Sequence, residues 1–360
     1  GNQDPNLPPI AFIVGGVMLA AISIVIATTG SDIIYSLRQE AHDAMQLGQY
    51  TTAELIGSGG MGQVYRATHR LLRRPTAVKL IRPELGAENL DRFEREVQEM
   101  SQLTHPNTVQ VYDYGRSSGG VFYYAMEYLG GIDLEQLVKR YGRQPAGRVI
   151  PILAQVCGAL QEAHERKLIH RDIKPANIIL CERGGVPDVA KVVDFGLVKD
   201  FTHSTGASTQ VVLGTVGYMA PEQLTEPDRV GPPADIYALG CVGYYLLTGK
   251  KVFDGKTDVD ICMQHITKEP VPPSQTGSLP IPGALDAAIL RCLAKAPSAR
   301  YASAAELAEA LEAIPEATGW SRAEAREWWR EFRAQPPPQE ITEQKTMTVR
   351  VDLERRVKSA

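Results

Sequence analysis

The hydrophobic pattern of this chain changes its period near residue 130, and that change limits the folds open to it. Between residues 50 and 128, short runs rich in valine, isoleucine, tyrosine and threonine alternate with turn residues, which predicts an antiparallel sheet. One helical segment, 89–103, interrupts the sheet. Beyond Leu134 helical periods dominate, over residues 149–166, 235–247, 258–266 and 285–295. The sequence therefore predicts an α+β architecture, in which a β-rich lobe and a helical lobe enclose a cleft.

Charge and cysteine content exclude several classes of protein. The chain has 38 Lys and Arg against 42 Asp and Glu, a formal net charge of −4. It therefore lacks the positive charge of a dedicated nucleic-acid binder. Its 5 cysteines lie far apart without a CxxC pair, which excludes a disulfide scaffold and a thiolate zinc site and fits a reducing compartment.

An uncharged stretch near the start predicts a membrane anchor. No residue from 5 to 31 is charged, and residues 10–28 read IAFIVGGVMLAAISIVIAT. As a helix these would span about 28 Å, close to the roughly 30 Å core of a bilayer. We predict a short stub over 1–9, a transmembrane helix over 10–29 and a juxtamembrane helix over 30–50. The apolar stripe of the last segment could pair with a second copy, which would make a homodimer.

A glycine-rich hairpin and a lysine in an apolar strand together indicate a nucleotide site. Gly57, Gly59 and Gly62 fit the pattern GxGxxGxV, and glycines without Cβ let backbone N–H groups approach phosphate oxygens closely. A dinucleotide-binding turn would need a helix next, but a strand-like GQVYRATH follows. Further along, Lys79 lies within the apolar run TAVKLI and needs an anionic partner there.

The most specific stretch is HRDIKPAN at 170–177, which is followed by KVVDFG at 191–196. Asn177 and Asp194 offer hard oxygen donors suited to a Mg²⁺ ion that bridges phosphates. Asp172 can accept or orient a hydroxyl proton, and Lys174 can neutralise charge on a transferred phosphoryl group.

These motifs, with Ala-Pro-Glu at 220–222, resemble those of eukaryotic-like (Hanks-type) serine/threonine protein kinases, in the style of bacterial membrane-anchored members. The resemblance covers about residues 50–314, and we take 51–314 as the kinase domain. It implies a bilobed protein-kinase fold, preceded here by a single transmembrane helix, and transfer of the γ-phosphoryl group of Mg-ATP to Ser or Thr of protein substrates. A pseudokinase scaffold or receptor and a small-molecule phosphotransferase of kinase-like fold are the alternatives. The complete set of phosphoryl-transfer residues opposes the first, and the long activation segment opposes the second.

The resemblance also assigns roles to individual residues. Lys79 would hold the α- and β-phosphates and pair with Glu96, for which Glu99 is the alternative. Asp172 would be the catalytic base, assisted by Lys174. Asn177 and Asp194 would bind Mg²⁺. The ATP site would comprise Ile56, Gly57, Ser58, Gly59, Gly60, Met61, Gly62, Val64, Ala77, Lys79, Glu127, Leu129 and Ile179.

Other assignments concern the framework of the site. The resemblance makes 127–129 the hinge and Met126 the gatekeeper. It pairs Glu222 with Arg300 and makes Asp235 a cap for the catalytic-loop backbone. By the same resemblance, His170 packs in the framework and is not a general base.

Substrate class and regulation follow from the same resemblance. Lys174 and Thr215 match the serine/threonine type, with Thr215 contributing to the substrate platform. Arg171 beside the catalytic Asp implies that a phosphate organises the activation loop, residues 197–213. We expect autophosphorylation at Thr209, Ser208 or Thr205. Because ATP is cytosolic, the kinase domain would face the cytoplasm from a single-pass anchor in the inner membrane.

The C-terminal segment, 315–360, is expected to hold one amphipathic helix and a flexible tail. Ser321 and Glu324 form a capping-box pattern, and Trp328, Trp329 and Phe332 follow at helical spacing. We favour docking of this helix on the helical lobe over binding of a partner. The residues at 181–188 lengthen a hairpin, which we expect to lie at the surface without touching the site.

Overall fold

The computed structural model describes residues 46–47, 50–59, 62–81, 87–116, 121–195, 216–276 and 280–335. Several predictions lie outside these residues: the stub, the transmembrane helix and the tail beyond 335, and also Gly60, Met61, Thr205, Ser208, Thr209 and Thr215. Within the described part of the chain, no helix combines the length and the apolar character needed to cross a bilayer.

The N-terminal lobe is a six-stranded antiparallel sheet in the order β1-β2-β3-β4-β6-β5 with one helix, α1, against it. Its elements are β1 (Gln46–Leu47), β2 (Tyr50–Gly59), β3 (Gly62–His69), β4 (Pro75–Ile81), α1 (Ala87–Ser101), β5 (Val111–Arg116) and β6 (Phe122–Glu127). The predicted sheet and its single helix are therefore confirmed. Helix α1 buries Phe93, Val97 and Met100, the apolar face that its spacing predicted.

The juxtamembrane helix predicted over 30–50 does not extend to its expected end. Gln46 and Leu47 form β1, which pairs with Thr51 and Tyr50 of β2. Backbone groups that helical hydrogen bonds would satisfy are bonded here to the edge of the sheet, so strand replaces helix at these positions. The rest of that prediction lies outside the described residues.

The C-terminal lobe is helical, as predicted, with a small sheet at the junction between the lobes. The helices are α2 (Leu134–Tyr141), α3 (Ala146–Glu165), α4 (Pro221–Thr225), α5 (Pro232–Thr248), α6 (Asp258–Thr267), α7 (Gly283–Cys292), α8 (Ala304–Glu312) and α9 (Arg322–Ala334). The junction sheet contains β7 (Gly131–Asp133), β8 (Ile178–Arg183) and β9 (Val186–Val192), in that order. Helix α5 is buried on all sides and ends at Gly249, whose φ of +73° suits glycine.

One continuous apolar core joins the two lobes. It runs from Phe93 and Phe122 in the first lobe to the buried faces of α3 and α5 in the second. A backbone segment, 107–109, crosses between them: Val109 N–H donates to the Val192 carbonyl at 3.0 Å, and Val192 N–H donates to the Asn107 carbonyl at 2.8 Å. The strand β9 is therefore tied to the N-terminal lobe just before Asp194.

The C-terminal helix α9 docks on the rest of the domain, which confirms the favoured prediction. Its capping box is formed, with Glu324 N–H donating to Ser321 Oγ at 3.2 Å and Ser321 N–H to Glu324 Oε2 at 2.7 Å. Trp329 is 2% exposed, and its indole N–H donates to Asp188 Oδ1 at 2.8 Å. Trp320 donates to the other oxygen of Asp188 at 2.8 Å. The two tryptophans of the C-terminal segment therefore bind both carboxylate oxygens of one residue on β9.

Candidate active site

The glycine-rich hairpin forms as two antiparallel strands, with Gly57 opposite Val64 and Gly59 opposite Gly62. A Cβ built on Gly59 would meet no atom of the described residues within 4 Å, whereas a Cβ on Gly62 would collide with the Leu80 carbonyl oxygen of β4. Gly59 therefore leaves open space, as close approach of a phosphate requires. At Gly62 the neighbouring strand also demands glycine, which the motif alone did not indicate.

The lysine of β4 has the anionic partner that its burial demands. Lys79 is 5% exposed, and its Nζ donates to Asp194 Oδ1 at 2.6 Å. Tyr124, which lies opposite Lys79 on β6, donates its hydroxyl to the same oxygen at 3.1 Å. Sequence reasoning missed Tyr124, although the alternation of β6 could have placed it on the face of Met126. Glu96 is half-buried on α1, and its pairing with Lys79 remains a prediction.

These contacts set the charge of the Lys79–Asp194–Tyr124 group. Burial alone would raise the pKa of Asp194, but the Lys79 ammonium and the hydrogen bonds from Lys79 and Tyr124 outweigh it and hold that pKa below its usual range. The pKa of Tyr124 lies well above its usual value because the phenol is buried and faces the Asp194 carboxylate. Asp194 is therefore an anion, and Tyr124 remains a neutral donor at pH 7.

The catalytic-loop residues predicted from the sequence converge on Asp172. Lys174 Nζ donates to Asp172 Oδ2 at 2.7 Å, and Asn177 Nδ2 donates to the same oxygen at 3.0 Å and to the Asp172 carbonyl at 2.8 Å. The other oxygen, Asp172 Oδ1, is buried and accepts no hydrogen bond from the described residues. One carboxylate oxygen is thus fixed and the other remains able to accept a proton or a hydroxyl.

Asp235 holds the backbone of this loop, as predicted. Its Oδ2 accepts from His170 N–H at 2.9 Å, and its Oδ1 accepts from Arg171 N–H at 2.8 Å. His164 Nε2 lies 2.8 Å from Oδ2. Arg171 has a φ of +61°, an uncommon conformation for a side chain with Cβ, which these bonds to Asp235 help to maintain.

His170 serves the framework, as expected. Its ring packs at 4.6 Å from the ring of Phe195, and its Nε2 lies 3.0 Å from the Val193 carbonyl oxygen. Burial lowers the pKa of His170 below its usual value, so the ring is neutral at pH 7.

The residues expected to enclose adenine lie in or against the main apolar core, with one exception. Ala77 and Met126 lie opposite each other on adjacent strands and belong to the main core. Val64, Leu129 and Ile179 are partly buried against that core. Ile56 does not join them and is 40% exposed. The Glu127 N–H donates to the Gln110 carbonyl at 2.9 Å, which fixes the start of the hinge.

The hairpin over 181–188 does touch this region, so the expectation that it lies apart from the site is wrong. Arg183 of the hairpin donates to Glu127 Oε2 in the hinge. Lys191 Nζ, on the strand that returns from the hairpin, donates to Glu127 Oε1 at 2.5 Å. The sequence did not indicate this contact, because Arg183 and Lys191 lie 56 and 64 residues from Glu127 and the motifs pair neither of them with the hinge.

The predicted structural ion pair below the site is confirmed. Arg300 NH1 and NH2 donate to the two oxygens of Glu222 at 2.6 Å and 2.8 Å. The Arg300 side chain is fully buried, and the pair ties the start of α4 to the turn after α7.

The predicted ligands for a metal ion are the carboxylate of Asp194 and the amide oxygen of Asn177. Within the described residues, no three or more His, Cys, Asp or Glu side chains gather as a metal site. Mg²⁺ is usually held by one or two carboxylates together with substrate phosphates and waters. The Asp194 carboxylate and the Asn177 amide oxygen therefore fit Mg²⁺, since Asn177 uses its nitrogen for the bonds to Asp172.

Comparison with known proteins is consistent with this geometry. Residues 50–311 match the family model described as protein kinase domain. A probable serine/threonine-protein kinase of Corynebacterium efficiens is 41% identical over 280 residues, covering 74% of this chain and 41% of that protein. The serine/threonine-protein kinase PknB of Mycobacterium leprae is 40% identical over 265 residues, covering 72% of this chain and 42% of PknB. The serine/threonine-protein kinase pkn3 of Myxococcus xanthus is 39% identical over 273 residues, covering 74% of this chain and 50% of pkn3.

A solved structure shares the fold. The crystal structure of Rad53 residues 1–466 in complex with AMP-PNP superposes with a TM-score of 0.62 at 26% identity, covering 75% of this chain and 65% of that one. The chain spans half or less of the length of the curated relatives that it matches. The family model covers most of this chain, and the matched region contains the glycine hairpin, Lys79, the catalytic loop and Asp194. This chain belongs to the protein kinase family, and within it is similar to bacterial serine/threonine-protein kinases.

Proposed function

We propose that the chain is a serine/threonine protein kinase that transfers the γ-phosphoryl group of Mg-ATP to Ser or Thr of protein substrates. The observation that carries this proposal is the state of Asp172, with one carboxylate oxygen held by Lys174 and Asn177 and the other buried without a bond among the described residues. The similarity to the bacterial serine/threonine kinases and to the AMP-PNP complex of Rad53 supports it.

Each group has a part in this reaction. Asp172 Oδ1, which accepts no hydrogen bond from the described residues, would accept the proton of the acceptor hydroxyl or orient it for attack. Lys174, held beside Asp172, would balance charge on the transferred group, and Lys79 would bind the α- and β-phosphates. Bound Mg²⁺ would neutralise charge on the phosphates, with Asp194 and Asn177 as its ligands.

Residues of the glycine hairpin and hinge would hold the nucleotide. Backbone N–H groups of the hairpin, including Ser58, Gly60 and Met61, would face the phosphates. The hinge backbone at Glu127 and Leu129 would bind the adenine edge, and the partly buried apolar group described above would cover its faces. Glu96 would pair with Lys79 in the active arrangement.

The proposal is tested by transfer of labelled γ-phosphate from ATP to a generic protein substrate. Asp172→Asn should lower kcat at least about 100-fold, the usual contribution of a positioned acid–base group. Lys79→Met should lower it by a similar factor, since removal of one group that stabilises developing charge costs about 100-fold or more. Asp228→Asn, at an exposed position in the second lobe, is the matched control and should keep wild-type activity. Transfer that persists unchanged in both site variants would refute the assigned roles, and ATP binding without transfer by the wild type would indicate a pseudokinase.

We further propose that the kinase activates itself by phosphorylating its activation loop. Arg171 precedes the catalytic Asp172, and a positive group at that position can bind a loop phosphate. Thr209, Ser208 and Thr205 are the proposed acceptors, and Thr215 would lie at the substrate platform. Mass spectrometry after incubation with Mg-ATP should find phosphate between residues 197 and 215 in the wild type and none in Asp172→Asn. An unmodified loop in active wild-type enzyme would exclude this regulation.

A membrane location is the last part of the proposal, and the uncharged run supports it. Residues 10–29 would span the inner membrane once, with 1–9 outside and the kinase domain in the cytoplasm. Pairing through 30–45 would bring two copies together. Alkaline extraction of membranes should leave the full chain in the pellet and release a variant that lacks residues 1–29. Release of the full chain would argue against the anchor. Chemical cross-linking should capture a dimer of the full chain, and failure to find one would argue against the pairing.

A further inference from the structure

A buried ion pair connects the hinge to β9, the strand that precedes Asp194. Lys191 Nζ donates to Glu127 Oε1 at 2.5 Å and to the Thr108 carbonyl at 3.2 Å. The side chain of Lys191 is 9% exposed and that of Glu127 is 3% exposed. Arg183 donates to the second oxygen of Glu127, so both oxygens of this buried carboxylate are occupied. The pair lies apart from the groups assigned to catalysis, and Lys191 is the first residue of the KVVDFG stretch, to which the resemblance assigns no role.

The backbone around the pair forms a three-part connection. The segment 107–110 is bonded on one side to β9, through the two hydrogen bonds with Val192 described above. On its other side Gln110 exchanges bonds with the hinge, since its carbonyl accepts from Glu127 N–H and its N–H donates to Glu127 Oε1 at 3.2 Å. Lys191 spans all three parts, because it stands on β9, bonds the segment at Thr108 and bonds the hinge at Glu127.

This connection joins the two ends of the proposed nucleotide site. The hinge backbone would hold the adenine edge, and Asp194 lies three residues after Lys191 at the phosphate end. We infer that Lys191 is a positioning residue for the nucleotide, which fixes the adenine-binding backbone of the hinge relative to the end of β9 that leads to Asp194. The inference rests on the proposed function, because only that proposal assigns adenine to the hinge.

The chemistry of the pair favours positioning over a purely stabilising role. A buried ion pair is often no more stabilising than apolar residues of similar volume, because both charges must be stripped of water. Its distinguishing property is geometric, since a charged pair accepts few alternative arrangements in a low-dielectric interior. Lys191 forms its pair where β9, the segment 107–110 and the hinge meet, so the pair limits how far these three backbone segments can move apart.

The experiment compares nucleotide selectivity rather than activity alone. In the full chain, Lys191→Met should raise the KM for ATP and the equilibrium Kd for ATP about tenfold, which corresponds to about 1.4 kcal/mol. It should leave kcat within about twofold, because the groups around Asp172 and Asp194 are unchanged. The preference for ATP over GTP should fall by a similar factor, because the hinge reads the base. Lys191→Arg, which keeps the charge, should restore most of the affinity, and Lys256→Met at an exposed lysine is the matched control.

A second variant separates weakened ATP binding from loss of the folded structure. Lys191→Met leaves Glu127 with a single charged partner, whereas Lys191→Met with Glu127→Gln removes the buried charge and keeps the hinge backbone. The double variant should recover stability and still show weakened ATP binding and reduced base preference. Unchanged KM, Kd and ATP-over-GTP preference in a folded variant, with or without a fall in melting temperature, would overturn the inference and leave Lys191 a structural residue. Equilibrium dialysis with labelled ATP measures Kd independently of phosphate transfer, so failure of the proposed kinase activity is seen separately in the wild type.

Discussion

Trp329 offers the strongest test of whether the C-terminal helix belongs to the folded domain. It lies on α9 beyond residue 311, where the match to the family model ends, yet it is 2% exposed. Its ring packs edge-on against Trp328 and Phe332 at centroid distances of 5.1 Å and 5.3 Å. Its indole N–H donates to Asp188, which also accepts two hydrogen bonds from the buried Arg148 at 3.0 Å and 2.8 Å.

The magnitude follows from these contacts. A buried tryptophan removes about 200 Å² from water, which at about 25 cal/mol per Å² corresponds to about 5 kcal/mol, an upper bound. Truncation of buried aromatic side chains to alanine costs about 3–5 kcal/mol in measured series. We therefore expect Trp329→Ala to lower the free energy of unfolding by about 4 kcal/mol. Trp329→Phe keeps most of the ring packing but loses the bond to the Asp188 carboxylate, which is worth about 2 kcal/mol.

Urea unfolding followed by circular dichroism measures both variants against a matched control. Arg330 lies next to Trp329 on the same helix, is exposed and pairs with Glu327, so Arg330→Ala should change stability by less than about 0.5 kcal/mol. The slope with denaturant should stay constant for all three. A cost below about 1 kcal/mol for Trp329→Ala would refute the docked arrangement and favour the rejected alternative, a helix that binds a partner.

Three further predictions concern other parts of the domain. Arg300→Met leaves Glu222 without its buried partner and should lower the free energy of unfolding by about 3–5 kcal/mol, measured by the same unfolding assay; a change below about 1 kcal/mol would contradict it. Burial and the Lys295 ammonium lower the pKa of His265 to about 4, so the unfolded chain binds the proton first as pH falls. His265 should therefore contribute about 3 kcal/mol to the loss of stability between pH 6.5 and 4, and His265→Gln should make that loss smaller by this amount; an unchanged loss would contradict it. Gly62→Ala should force β3 away from the Leu80 carbonyl and weaken ATP binding more than Gly59→Ala, which meets open space; equal affinities by dialysis would show that the strands adjust.

The sequence predicted those features that depend on local pattern or on a motif. Periodicity located the sheet, α1 and the helices of the second lobe, because alternation and helical spacing are properties of neighbouring residues. Motif spacing identified Asp172, Asn177 and Asp194, and the resemblance added the Asp235 cap and the Glu222–Arg300 pair. Each of these last features is found in the structure.

The features that the sequence did not predict are contacts between ordinary residues far apart in the chain. Tyr124 reads as one more apolar strand residue, and only the sheet register brings its hydroxyl to Asp194, 70 residues away. Asp188 reads as part of a surface turn, but Trp320 and Trp329 reach it from more than 130 residues beyond. The end of the 30–50 helix was wrong for a related reason, since pairing with an existing sheet edge outweighs helical spacing over a few residues.

The hairpin formed by β8 and β9 joins these separate observations. On one side Arg183 and Lys191 bond the hinge through Glu127. On the other, Glu182 pairs with Arg333 and Asp188 accepts from the tryptophans of the C-terminal segment. The strand β9 leads directly to Asp194. Helix α9, which lies beyond the family match, is therefore connected through the hairpin to the hinge and to Asp194, the two ends of the proposed nucleotide site. Loss of α9 should therefore affect nucleotide affinity as well as stability, and Lys191 is the residue through which the two effects can be separated.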